Sequence, residues 1–203
     1  MREIDRRMKA MAKWWTELET ALETHRAPRI STPPAQRSSV AAILEFRPEP
    51  HVLLMQRVEH ERDPWSGHVS LPGGRSSPQD LDLLATAIRE TQEEVDVDLR
   101  QSARLLGRLE ARQAMSRGKP HDMDVTPFVF RLEREVEPTP MEEAKALFWL
   151  PLEQARNGAF EHEYRFQRGD QIHRTNAWKY EDYVVWGMTY RILDNLLTIC
   201  RAK

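Results

Sequence analysis

The sequence predicts an α+β fold in which a mixed central sheet lies between helices, with one further helix ahead of the domain. Three observations lead there. Short apolar runs rich in β-branched residues, SVAAILEF, HVLLMQRV and VTPFVF, read as strands. Two stretches, around Leu84–Val95 and Val185–Ile199, carry apolar residues at helical spacing. These strands and helices follow one another without the regular alternation of a doubly wound sheet. At 203 residues with 40% hydrophobic content, the chain suits one ordinary domain with an attachment.

Residues 3–25 read as the leading helix, because Ile4, Met8, Met11, Trp15, Leu18 and Leu22 recur at alternating steps of four and three. Such a stripe has to be covered, either by the helix's own domain or by a second copy of the chain, and both alternatives stay open. The division that follows is 1–25 for the amphipathic helix, 26–37 for a linker and 38–203 for the main domain. The linker assignment rests on three prolines and no periodicity in RAPRISTPPAQR. SVAAILEF and HVLLMQRV form consecutive strands around the turn-like RPEP. The loop EHERDPWSGHVS then leads to a glycine pair and a helix. Beyond the helix, RLLGRLEA is a strand, QAMSRGKPHDM a turn-rich loop and DVTPFVFRL another strand. Glu142 and Glu143 precede an apolar strand ending at Pro151, and Leu152–Arg156 begin a helical turn. Ala159–Lys179 is polar and suggests a hairpin. Val185, Met188, Ile192, Leu196 and Ile199 mark a final helix against the sheet.

Composition excludes several function classes. With 30 basic and 32 acidic residues the formal net charge is -2, so no broad electrostatic case exists for nucleic acid or membrane partners. A single cysteine, Cys200, precludes an internal disulfide framework, and no apolar run is long enough to span a bilayer. Cytoplasm is the expected location. The histidines lack a zinc-ligand spacing, and neither Ser66 nor Ser70 has a paired base in sequence.

The informative stretch is LPGGRSSPQDLDLLATAIRETQEEVDV, Leu71–Val97. On a helix, Glu90, Glu93 and Glu94 project together, with Leu84, Ile88, Thr91 and Val95 roughly opposite. Three converging carboxylates repel unless a cation sits between them, and hard oxygen donors suit magnesium or manganese. Arg89 stays protonated and presents a planar fork, which suits it to orienting a glutamate of the cluster. Gly73 and Gly74 let the backbone turn tightly and approach that cluster.

This stretch resembles the box of the Nudix hydrolase family, a Gly and a Glu followed by Arg-Glu-apolar-x-Glu-Glu-x-Gly-apolar. Arg89, Glu90, Glu93, Glu94 and Val97 fall on matching positions. The interval from Gly74 to Arg89 is one residue longer than the pattern, Asp80 or Asp82 stands where its first Glu would be, Thr91 replaces an aliphatic residue, and Asp96 replaces its Gly. The resemblance implies a Nudix-type α/β/α sandwich and a pyrophosphohydrolase using Mg2+ or Mn2+ held by Glu90, Glu93 and Glu94. Arg89, Glu90 and Glu94 are then the catalytic candidates. The proton acceptor stays open among Glu90, Glu94, Glu142 and Glu143.

Around the box, Leu53-Leu54, Arg57, Arg62, Gly67 and Pro72-Gly73-Gly74 are similar to the coenzyme A pyrophosphatase branch of that family. So are VTPFVF and VVWGMTYRIL, while Met55, Leu71 and Asp63-Pro64-Trp65 depart from it. The likeness implies a small-molecule diphosphate substrate, coenzyme A or an acyl derivative, with ADP-ribose or a nucleotide sugar as the alternative. A nucleotide-sensing domain without catalysis is the reading from another class. Arg57, Arg62, Trp65, Gly73, Gly74 and Arg75 are the expected substrate contacts, the arginines because a guanidinium meets two phosphate oxygens at once.

Overall fold

A computed structural model describes residues 2–25, 37–47, 49–60, 65–116, 119–168 and 170–200. Helix α1 spans Arg2–Thr24 and is followed by strands β1 (Arg37–Arg47), β2 (Glu49–Arg57), β3 (Val69–Ser70) and β4 (Gly73–Arg75). Next come α2 (Leu83–Val95), α3 (Leu99–Ser102), β5 (Ala103–Arg108), β6 (Arg112–Ser116) and β7 (Lys119–Leu132). The chain continues through β8 (Ala144–Pro151), α4 (Leu152–Arg156), β9 (Glu161–Arg168), β10 (Gln171–Tyr180), β11 (Tyr183–Trp186) and α5 (Gly187–Ile199). Residues 26–36 of the expected linker lie outside the described residues, and Arg37 already belongs to β1.

Eight strands form the main sheet, with β1 at its centre. Strand β1 runs parallel to β7, and antiparallel to β4 over Ser38–Val40 and to β2 over Leu44–Arg47, so the sheet is mixed as expected. Side chains alternate across β1 and β2, which sorts their near-continuous apolar runs onto two faces. Ala41, Ile43, Leu53 and Met55 join Phe128 and Phe130 beneath α2. Ala42, Leu44, Val52 and Leu54 face the other way, toward α1 and α5. A smaller sheet, β9–β10–β11, packs on this second face through Trp178 and Val185.

Two sequence expectations need correction. QAMSRGKPHDM is not a loop: β6 and the first half of β7 pair as a hairpin, with the buried Ala114 as one of few apolar anchors, too few for periodicity to register. Val185 belongs to β11 rather than to the last helix, because the strand runs to Trp186 and the chain turns into α5 at the first residue of that helix, Gly187, where φ is +63°. The short α3, which Asp98 caps through the Arg100 N–H, has no counterpart in the sequence reading.

The second half of α1 packs on its own domain. Trp14, Trp15, Leu18 and Leu22 are buried in the core shared with α5 and the main sheet. Arg131 lies 4.7 Å over the Trp15 ring, and Glu19 pairs with Arg104 and Arg131. A homodimer is therefore not needed to cover these residues. Each such side chain contributes about 2 kcal/mol on burial, so removing residues 1–25 should lower the melting temperature by about 10 °C or more. Calorimetry of the truncated chain tests this, and an unchanged melting temperature would contradict it.

Candidate functional site

The glycine pair and α2 form one structural unit. Asp82 starts the helix by accepting the Ala85 N–H at 2.8 Å, as an N-cap should. Asp96 ends it in the left-handed conformation at φ 54°, the role a glycine would fill at less cost. The face toward the sheet is Leu83, Ala87, Thr91 and Val95. Thr91 replaces an aliphatic residue without leaving its hydroxyl unsatisfied, since it donates to the Ala87 carbonyl at 2.7 Å. Leu84 and Ile88, expected on this face, sit at its edge and are only partly buried.

Arg89 organises the polar side of the helix. Its Nε and one terminal nitrogen each donate to Asp80 at 2.9 Å in a two-pronged pair, and the second prong also reaches the Arg75 carbonyl at 3.1 Å. The other terminal nitrogen donates to Glu90 at 2.8 Å and Glu93 at 2.9 Å. The Asp80 side chain is 7% exposed and also accepts from Ser77 N–H and the Thr86 hydroxyl. These bonds, the one from Arg89 above all, hold its carboxyl well below the usual carboxylate range. Asp80 thus fills the role left open between two aspartates, while Asp82 serves as the cap.

Glu90 and Glu94 face the glycine pair. At Gly73 the backbone takes φ +149°, and a Cβ there would stand 2.2 Å from the Ser39 carbonyl oxygen. A Cβ on Gly74 would stand 2.5 Å from the Glu90 carboxyl carbon. Gly73 therefore requires glycine, since the backbone itself stands in the way, whereas a side chain at Gly74 would displace the Glu90 carboxylate that lies against the backbone there. The Gly73 N–H donates to Glu94 Oε2 at 2.7 Å, and Arg57 approaches Glu94 Oε1 at 3.5 Å. Burial nevertheless pushes the Glu94 carboxyl, whose side chain is 3% exposed, up to about 8. Burial also raises Glu90, against the pull of Arg89. The charge of Glu143, on the turn before β8, raises both further.

The other expected residues are placed as follows. Glu93 is 57% exposed and turns to Arg89, so the expected convergence of three carboxylates does not occur. Arg89 compensates two of them, and the Gly73 N–H takes the third. Among the described residues no group of three acidic, histidine or cysteine side chains is arranged to share a metal ion. Arg57 is brought to the carboxylates and bridges Glu94 and Glu143 at 3.5 Å each. Arg75 is exposed on β4 beside Gly74. The Trp65 indole donates instead to the Met115 carbonyl at 3.0 Å and meets His121 edge-on, against the β6–β7 hairpin. Arg62 lies outside the described residues. Glu142 is exposed, and the salt bridge to Arg57 comes from its neighbour Glu143. Sequence gave no signal for that bridge, which exists because the Met141 N–H bonds the Glu94 carbonyl and ties the turn to the end of α2.

The family model for the NUDIX domain matches residues 35–169. A protein of Yersinia pestis (strain Pestoides F) named as an uncharacterized Nudix hydrolase, NudL, is 32% identical over 165 residues, covering 79% of this chain and 78% of its own length. Among solved structures, the MutT protein of Methanosarcina mazei Go1 superposes with a TM-score of 0.51 at 18% identity, over 86% of this chain and all (100%) of that one. A bifunctional NMN adenylyltransferase/ADP ribose pyrophosphatase of Francisella tularensis gives 0.51 at 20% identity, over 91% of this chain and 47% of that one. At such identities the two superpositions speak for the fold.

Proposed function

The chain belongs to the Nudix family of hydrolases, which act on phosphorus anhydrides and generally use divalent metal ions, and from that premise we propose that it cleaves the diphosphate bond of coenzyme A or an acyl-coenzyme A. The observation that carries the reaction class is the pair Glu90 and Glu94 laid against Gly73 and Gly74 with Arg57 beside them. The coenzyme A assignment rests on the run from Leu53 to Gly74, whose arginine and glycine positions match that branch of the family.

The residues fit a magnesium or manganese ion. Their donors are all carboxylate oxygens, and the Glu90 and Glu94 carboxyls are raised by burial and by the charges of neighbouring glutamates, effects that a nearby cation opposes. Glu90 and Glu94 would hold it, with Glu93 joining by leaving Arg89. Such an ion would supply positive charge to offset that of the diphosphate and to favour loss of a proton from the attacking water. The chain's own residues do the rest. Asp80 and Arg89 fix Glu90 in place, and the Gly73 N–H fixes Glu94. Arg57 supplies a permanent positive charge at the same face, suited to a phosphate oxygen. Glu143, exposed and paired with Arg57, is the group we assign to accept the proton of the attacking water.

Incubation of the full chain with magnesium and a panel of coenzyme A, ADP-ribose and nucleotide sugars, with products resolved by chromatography, tests the assignment. Coenzyme A should yield adenosine 3′,5′-bisphosphate and 4′-phosphopantetheine. Cleavage of ADP-ribose without action on coenzyme A would overturn the substrate and leave the hydrolase. Glu143→Gln should lower kcat about a hundredfold, whereas Glu142→Gln should leave it near wild type; the reverse order would exclude Glu143 as the acceptor.

A further inference from the structure

A groove of about 500 Å³ lies along α2, within the usual size range of small-molecule sites. Its apolar lining is Leu81, Ala85 and Ile88, spaced as one stripe that begins just ahead of the helix. Leu81 directly precedes the N-cap Asp82, where an apolar side chain ordinarily folds back onto the fourth residue of the helix. Here that fourth residue is Thr86, which is buried and gives its hydroxyl to Asp80. Leu81 therefore has no apolar partner at that position, and at 97% it is the most exposed large hydrophobic side chain among the described residues.

The carboxylates of the same groove are already bonded. Asp80 and Glu93 share Arg89, and the two oxygens of Asp98 accept from the Arg100 N–H at 2.9 Å and the Gln101 amide at 2.7 Å. Its donors are not all used. Arg100 is exposed and its guanidinium meets no partner among the described residues. Gln79 accepts the Ser77 hydroxyl on its side-chain oxygen, which leaves its amide N–H groups over. An occupant thus finds an apolar stripe beside open donors, one of them a permanent cation whose fork suits two oxygens at once.

We propose that this groove binds an alkyl carboxylate, with the chain on Leu81, Ala85 and Ile88 and the carboxylate toward Arg100 and Gln79. The site is separate from the expected substrate contacts, since neither Arg57 nor the glycine pair lines it, and it does not depend on the reaction proposed above. It nevertheless adjoins the carboxylate site. Arg89, which holds Glu90 at 2.8 Å, also forms part of the groove wall, so an occupant touches the residue that orders the glutamates.

Calorimetric titration of the full chain with octanoate, octan-1-ol, octylammonium and acetate tests the proposal, in chelator so that no metal ion can hold a carboxylate elsewhere. Octanoate should bind about tenfold more tightly than octan-1-ol, which has the chain without the charge. Acetate, which has the charge without the chain, should bind about a hundredfold or more weaker than octanoate. Arg100→Gln should bring octanoate down to the level of the alcohol. Leu81→Ala should weaken both about tenfold and leave the melting temperature unchanged, because that side chain is exposed. No binding of octanoate, equal binding of octanoate and octan-1-ol, or a preference for the carboxylate that survives Arg100→Gln would overturn the site. Tighter binding of octylammonium than of octanoate would overturn it in favour of the acidic side chains. Co-sedimentation with phosphatidylglycerol vesicles by a chain that free octanoate does not titrate would overturn it in favour of a membrane surface.

Discussion

Glu94→Gln should lower turnover by on the order of a hundredfold or more while the protein remains folded. The amide keeps the shape and can still accept the Gly73 N–H, but it removes a negative charge from the place where a cation is needed. A second effect separates this variant from a merely damaged protein. In the folded chain the Glu94 carboxyl ionises at about 8, whereas an unfolded glutamate does so near about 4.3. Across that window the folded form binds more protons, so Glu94 favours folding below it and loses that contribution as pH rises. In chelator, Glu94→Gln should therefore melt higher than wild type at pH 8.5 and converge with it near pH 4. Thermal melts across pH, read beside kcat at saturating magnesium, check both halves. Wild-type activity in the variant would falsify the metal assignment.

Arg89→Met should give the opposite combination, with activity and stability lost together. The substitution keeps length but strands the half-buried Asp80 carboxylate, which has two nitrogens of Arg89 at 2.9 Å as its charged partners. Losing these charge-assisted bonds costs about 2–3 kcal/mol, or roughly 5–10 °C in melting temperature for a chain of this size. Asp80→Asn should show a similar drop. Because Arg89 holds the Asp80 carboxyl below its unfolded value, the stabilisation is present above about pH 4 and fades as pH falls further. Wild-type stability should thus decline more steeply than that of Asp80→Asn on acidification below that point. Parallel acid melts of the two proteins would show that the pair contributes nothing.

The strands around β1 and the box helix were legible because their residues obey local rules. SVAAILEF and HVLLMQRV are apolar on both faces, as strands covered on both sides must be, and Asp82 and Asp96 bracket α2 at its cap positions. The site was legible where helical spacing alone decides it. Spacing could not show that Glu93 leaves the group for Arg89, since that depends on a guanidinium shared with Glu90. Nor could it show Arg57 beside Glu94, a pairing across strands and helices 37 positions apart (94 − 57) in the chain. Nor could it show that Trp65, a loop aromatic close to the glycine pair in sequence, donates to the Met115 carbonyl 50 positions away.

The burial of α1 also sets an order of events during synthesis. Leu22 packs on Gly107, and Trp15 under Arg131, so α1 leaves the ribosome before its seat, which is built from strands made about a hundred residues later. Strand β1 waits likewise for its parallel neighbour β7. In the interval an amphipathic segment bearing Trp14, Trp15, Leu18 and Leu22 has no native surface to meet, the condition under which chains associate wrongly or engage a chaperone. The nascent chain is therefore most vulnerable before β7 emerges, and folding yield should depend on how long that interval lasts.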